Sequence, residues 1–328
     1  MSRQQRKTIF RISACSQLLK SIAITMLAAG LTSAQSLHPA GPGRPTTVPA
    51  DFVITPFGYF HPSCVMQLAK GDVERQDENA IQHADGSYES VPPCAYPHYD
   101  AAGNALTGDE RAPKEPKISH AWIEYASTTT SSSFGELSAY WAVPPAPSAN
   151  NDQTVYLFPG MEDYKHVVSI IQPVLGWNAD FTSAWGIASW NCCPSGVAWE
   201  ALPTPVNSGD TIFGYMFDTC AAGTLSCATW DIVTKDLTSG EYSELTKTSS
   251  VGQTFNWAFA GALEVYNIVQ CGDYPPNGAI TFYNLGLFND SFLKIGSPSW
   301  SLTKASSGLT PQCNYGVSDP PQKVVLNY

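Results

Sequence analysis

What most limits the fold of this chain is the spacing of its apolar runs beyond residue 120. Short β-branched and aromatic stretches recur there at intervals of about 10 to 15 residues, each closed by a turn signal, which is the rhythm of an all-β sandwich or barrel. The candidate strands run from Phe134 to Val143, Thr154 to Phe158, Val167 to Leu175, Ala184 to Trp190, Thr211 to Phe217, Thr229 to Thr234, Gly252 to Phe259, Ala262 to Val269 and Ala279 to Tyr283. Asn207-Ser208-Gly209-Asp210, Ser239-Gly240 and Pro275-Pro276-Asn277-Gly278 supply turns. No apolar pattern of helical period persists for about ten residues in this half. Aromatic residues make up 12% and charged residues only 14% of the 328, a balance suited to many strands and turns.

Histidine narrows the chemistry. Beyond His120 only His166 remains, so this half lacks material for a Ser-His-Asp or Cys-His site or for a His-ligated metal. His166, beside Lys165, reads as a solvated loop residue. Neither metal nor cofactor is expected, and no glycine-rich phosphate loop occurs. Glu, Asp, Gln and Trp remain, which leaves carboxylate chemistry or sugar binding.

The N-terminus carries Arg3, Arg6, Lys7, Arg11 and Lys20 before an apolar run, Ser21 to Leu31, that ends in Thr32-Ser33-Ala34. The pattern predicts a signal peptide over 1–34 and a secreted product, and the run is too short to span a bilayer comfortably. Its removal leaves 12 basic against 28 acidic side chains, a net charge of −16. Such a surface repels phosphates, so nucleic acid is not an expected partner. No membrane association is expected after cleavage, and the expected state is a monomer.

Of nine cysteines, Cys15 falls in the signal and eight remain, an even number that points to disulfides in an exported chain. Cys220 with Cys227 fits a hairpin loop, Cys64 with Cys94 fits a bridge, and adjacent Cys192 and Cys193 are expected to staple different elements. Residues 35–117 are rich in Pro and Gly, hold four of the six His, and end in the linker-like Thr107-Gly108-Asp109-Glu110-Arg111-Ala112-Pro113-Lys114-Glu115-Pro116-Lys117. They are a prosegment or a small accessory module, and 118–328 is the sandwich domain. As a prosegment, 35–117 is expected to occlude a groove until removed.

Two polar residues stand out within apolar strands. Gln172 sits in Ile170-Ile171-Gln172-Pro173-Val174-Leu175, and Glu264 in Ala262-Leu263-Glu264-Val265. An unpaired buried amide costs about 1–3 kcal/mol, so Gln172 is either paired structurally or kept for a ligand. For Glu264 the plain alternative is a half-exposed face. Gln172 shares parity with Ile170 and Val174, and Glu264 with Ala262 and Tyr266, so both can face one concave side if their strands are neighbours. Glu162-Asp163 reads as a loop-shaping turn.

Six motifs fall in an order that resembles the glutamic peptidases of the eqolisin type. They are Leu137 to Pro144, with its terminal Val-Pro; Phe158-Pro159-Gly160-Met161-Glu162; Ile170-Ile171-Gln172 with Trp177; Ala184-Trp185 to Trp190; Gly209-Asp210-Thr211-Ile212; and Ala262-Leu263-Glu264. The chain is more distantly similar to neprosin-type peptidases, whose precursors also carry a prosegment. The resemblance covers roughly residues 134 to 285 and implies an antiparallel concanavalin-like β-sandwich that hydrolyses polypeptides in acid. It maps the catalytic pair to Gln172 and Glu264, and places Phe158, Glu162, Trp177, Trp185 and Trp190 at the substrate. Three departures stand against it: Phe158 replaces a tryptophan, Glu162 replaces an aspartate, and Gly186-Ile187-Ala188-Ser189 lacks the family's acidic residue between two tryptophans. The competing expectations are a carbohydrate-binding or carbohydrate-cleaving sandwich, with Trp177, Trp185 and Trp190 as stacking platforms, and an inactive peptidase-like domain.

Overall fold

The computed structural model describes residues 44–75, 78–106, 121–166, 168–193, 196–304 and 311–328. The expected signal run and the linker lie outside these residues. No α-helix occurs among the described residues, and none of their helices is long and apolar enough to cross a membrane.

Two large sheets form a β-sandwich. One contains, in spatial order, Tyr242–Ser249, Thr229–Asp236, Thr211–Asp218, Phe134–Ala142, Ala279–Asn289, Lys323–Asn327 and Gly316–Ser318. The other runs Ser301–Lys304, Trp122–Thr129, Trp257–Tyr266, Thr154–Glu162, Ile170–Trp177, Trp185–Cys192, Ala198–Ala201 and Val65–Leu68, with Thr204–Val206 also on Trp185–Cys192. All of these pairings are antiparallel except the last of the row, where Val65–Leu68 lies parallel to Ala198–Ala201. Alternation along each strand sends Leu157, Leu175, Ile187, Leu263, Trp141 and Phe282 into the space between the sheets. At the hairpin before Tyr242, Gly240 adopts φ +86°, which a side chain would resist.

The expected strands are present, with changed ends. Thr154–Glu162 runs four residues past Phe158, so Glu162 closes a strand instead of shaping a turn. The two runs on either side of Gly261 are one continuous strand, Trp257–Tyr266. Gly261 permits this because the Phe282 ring occupies the place a Cβ would take. Trp122–Thr129 and Tyr242–Ser249 are additional strands.

Residues 44–106 are built of short strands and loops within the same compact unit as the sandwich. Disulfides join Cys64 to Cys94, Cys220 to Cys227 and Cys271 to Cys313. Cys192 and Cys193 are joined to each other, which corrects the expectation that they bridge separate elements. With the other six cysteines described here already paired, no third element is left to receive either one.

Candidate active site

The face of the larger sheet that points away from the smaller one gathers the polar residues singled out above. Tyr156 is opposite Glu264 on one side and Gly176 on the other. Gln172 is opposite Trp190, and Trp190 opposite Glu200. Directly opposed residues share a face, so Gln172 and Glu264 share this one. Their strands are not neighbours, because Thr154–Glu162 lies between them. Gln172 is also four residues along its strand from Gly176, about 13 Å at roughly 3.3 Å per residue.

The carboxyl nearest Gln172 by register is Glu162. It opposes Ile170 across directly paired strands, which makes Glu162 and Gln172 diagonal neighbours, typically about 7–8 Å apart. A bulge on the neighbouring strand Trp257–Tyr266, where the three steps from Ala262 to Phe259 face two from Phe158 to Gly160, distorts the sheet here. Glu162 feels the charge of Glu264.

All of these groups are closed off from water. Gln172 is fully buried and neither amide atom has a partner among the described residues. Burial pushes the Glu264 carboxyl up to about 8, opposed by hydrogen bonds from the Tyr266 hydroxyl, at 2.6 Å, and from the Trp122 indole. Burial likewise raises Glu162 to about 8, with the Glu264 charge adding to it. Tyr156, ringed by Asp180, Glu264 and Glu200, is held well above the usual phenol range by burial and then by those charges.

A second carboxyl pair lies on the Gln172 side. Glu200 is fully buried, and its Oε2 accepts a 2.8 Å hydrogen bond from Gln67 Nε2. Asp180, on the turn after Ile170–Trp177, is partly exposed as a residue, but its Oδ1 is shut away from solvent. The two carboxyls hydrogen-bond to each other. Burial raises both, Asp180 to about 6 and Glu200 well above the ordinary carboxylate value, and each acts on the other. Sequence reasoning missed Glu200. Its signal was Ala198-Trp199-Glu200-Ala201, a short run on the strand after the one searched for an acidic residue beside tryptophan.

The residues expected at the substrate divide between the two faces. Phe158, Glu162 and Trp190 are on the groove face, 0%, 4% and 1% exposed. Trp177 and Trp185 are in the core between the sheets, edge to face at 5.4 Å. Parity dictates this, since both sit an odd number of residues from the groove-facing positions of their strands. Three tryptophans therefore do not form one stacking platform.

What covers the groove is the chain's own N-terminal portion. Val48, Phe52, Val53, Ile54, Tyr59 and Phe60 form one buried cluster with Tyr156, Phe158, Val174, Trp190, Ala262 and Tyr266. Tyr59 meets Tyr266 edge to face at 5.4 Å, and the Tyr156 hydroxyl donates to Ile54 O. Val65–Leu68 extends the sheet, and the Leu202 N–H donates to Leu68 O at 2.9 Å. Further out, Glu74 accepts from the Thr248 hydroxyl and the Ser249 N–H.

At the far end the face opens into a cavity of about 320 Å³ lined by Tyr125, Tyr164, Trp257 and five Ser and Thr residues. Asp163 shapes the adjoining loop by accepting from the N–H groups of Lys165, His166 and Thr254. His166 is exposed, its ring 3.7 Å from Asp163. Among the described residues no group of three or more His, Cys, Asp or Glu is arranged to hold a metal ion.

No protein-family model matches the chain, and no curated protein does. Solved structures similar to it include scytalido-glutamic peptidase with a peptide-based transition-state analogue, 17% identical with a TM-score of 0.44, over 63% of this chain and 98% of that one. SCP-B, a member of the eqolisin family of peptidases in complex with the tripeptide Ala-Ile-His, is 17% identical with a TM-score of 0.43, over 63% and 98%. Aspergilloglutamic peptidase from Aspergillus niger is 16% identical with a TM-score of 0.37, over 53% and 98%.

Proposed function

We propose that the chain is the covered form of a secreted, acid-acting glutamic endopeptidase whose groove is the outer face of the larger sheet. The observation that carries this reading is the occupant: residues 48–60 of the chain pack on the groove face, and Val65–Leu68 adds a strand to the sheet edge and places Gln67 against the buried carboxyl of Glu200. A surface that seats main chain in this way suits a polypeptide better than a sugar.

In this reading Glu264 is the general base. Once the cover leaves and water returns, the burial that holds its proton is relieved and Glu264 ionises in acid; it then takes a proton from water as the oxygen attacks the peptide carbonyl, and passes that proton to the departing amine. The Gln172 amide, unpaired among the described residues, donates to the oxyanion of the tetrahedral intermediate, which requires the uncovered groove to bring it and Glu264 onto one peptide bond across the register separation described above. Glu162, diagonal to Gln172, is the carboxyl to test against Glu264 for the role of base. Residues 35–117 act as a prosegment, and cleavage in the linker after residue 106 uncovers the groove.

The test is casein hydrolysis between pH 3 and 7 by the full chain before and after linker cleavage, with Glu264→Gln and Glu162→Gln alongside. Cleavage should appear only after the cut and be confined to acid. It should fall by orders of magnitude in Glu264→Gln while the melt stays cooperative. Full activity of the uncut chain would refute the prosegment, and wild-type cleavage by Glu264→Gln with loss in Glu162→Gln would move the base to Glu162.

A further inference from the structure

The Asp180 and Glu200 carboxyls have no place in the chemistry above, yet Glu200 is fully buried in the groove and Asp180 turns an oxygen shut away from solvent toward it. Glu200 shares a register row with Trp190 and Gln172, so it flanks the residue proposed to hold the oxyanion at a distance of two strands, about 9–10 Å. Asp180 meets it from the turn above. Four acidic groups, the buried Glu162, Glu200 and Glu264 and the partly exposed Asp180, line the face, and no basic side chain is among the groups acting on them.

Among the described residues, the external donor to the Asp180–Glu200 pair is Gln67. Gln67 is opposite Glu200 on the parallel edge strand and reaches Oε2 through an amide N–H at 2.8 Å. A peptide side chain with an N–H head on a short methylene stem is thus already seated on the pair. The pocket supplies acceptors and negative charge, and the visitor supplies a donor.

We propose that Asp180 and Glu200 form a specificity subsite for a substrate side chain bearing N–H donors, lysine, arginine or glutamine, and that Gln67 occupies it in the covered chain. The word substrate rests on the peptidase reading; the donor preference does not. Two carboxyls that share one proton keep one negative charge, so a cationic head satisfies them at least as well as an amide. An apolar head would strand Glu200 Oε2 without its donor.

The covered chain itself is the assay. Position 67 is varied in the full-length protein, Gln67→Lys, Gln67→Arg and Gln67→Met, and hydrogen exchange of the 65–68 amides is followed at pH 5. Lys and Arg should protect this strand at least as well as Gln, and Met should speed its exchange by about tenfold or more, the loss of one hydrogen bond to a charged group. The ordering should collapse in Glu200→Gln, or in Asp180→Asn if the former does not fold. Equal protection by Gln and Met, or weaker protection by Lys and Arg than by Met, overturns the subsite. Sequencing of casein fragments after linker cleavage supplies the second arm. Enrichment of Lys, Arg or Gln at one position relative to the cut supports the subsite, and cutting without enrichment overturns it. No cutting at any pH, together with the donor ordering at position 67, keeps the donor pocket and removes the peptidase reading alone.

Discussion

Raising the pH should destabilise the covered protein, and the groove carboxyls set the size of the effect. Glu264 is 1% exposed and titrates at about 8 when folded, against an ordinary value of 4.5. Between these values the folded chain holds a proton that the unfolded chain has lost, so stability is fully present below about pH 4.5 and declines as pH rises toward 8. At about 1.36 kcal/mol per unit, the ceiling for this one group is about 5 kcal/mol. Entry of water and relaxation of the cover will reduce it, leaving roughly 2–3 kcal/mol as the expected effect against a typical total of about 5–15 kcal/mol. For a chain of this size that lowers the melting temperature by about 4–10 °C between pH 4.5 and 8. Glu162 shifts in the same direction, as do Glu200, Asp180 and Glu74. The assay is a set of thermal melts of the full chain across this range, with Glu264→Gln in parallel. The variant has no proton to lose at that position, so its decline should be shallower by the Glu264 share. A wild-type melting temperature that rises from pH 4.5 to 8, or a Glu264→Gln profile parallel to wild type, would refute the reasoning. The sign also bears on activation: acid holds the cover down more tightly, so a cut in the chain, and not acid alone, must open the groove.

Three further outcomes are expected. Gln172→Met removes a buried amide with no partner and should raise stability by about 1–3 kcal/mol in chemical denaturation, while peptide turnover after linker cleavage falls roughly 100-fold or more. Trp185→Ala should cost about 3–5 kcal/mol by emptying space beside Trp177 in the core. Once melting is accounted for, it should leave KM for peptides unchanged, because the ring faces away from the groove. Chelator treatment of the cleaved protein should leave hydrolysis unchanged, and loss restored by one divalent ion would overturn a purely carboxylate mechanism.

Much of the sandwich was legible because its strands alternate against a dry core. Thr211–Asp218 alternates partly and fully buried positions along its length, and period two is easily read there. Tyr242–Ser249 escaped because it contains little apolar besides Tyr242 and Leu245, and its place is fixed by pairing with Thr229–Asp236. Ile170–Trp177 and Trp257–Tyr266 were visible but differently instructive, since every residue in both is buried. Burial of both faces erases the polar half of the alternation, and that is why Gln172 and Glu264 stood out. The second layer of burial comes from residues 48–60, whose aromatic contacts with the groove are non-local and leave no periodic trace in sequence. Parity alone should have separated Trp190 from Trp177 and Trp185. Glu162 was misplaced because Pro159 and Gly160 look like the start of a turn, whereas they lie within a continuing strand and the bulge beside them is on its partner, Trp257–Tyr266.

The four disulfides divide the molecule into two covalent territories. Cys64–Cys94 closes a loop wholly inside the groove cover, and Cys192–Cys193, Cys220–Cys227 and Cys271–Cys313 lie wholly inside the sandwich. Only the backbone between residues 106 and 121 joins one to the other, so a single cut there yields two chains with no sulfur tether. Such a product would migrate as two bands on a denaturing gel without reductant, yet travel as one species under native conditions for as long as the cover stays docked. The cover would depart as a cross-linked peptide able to keep its shape, and so to compete in solution for the groove it has left.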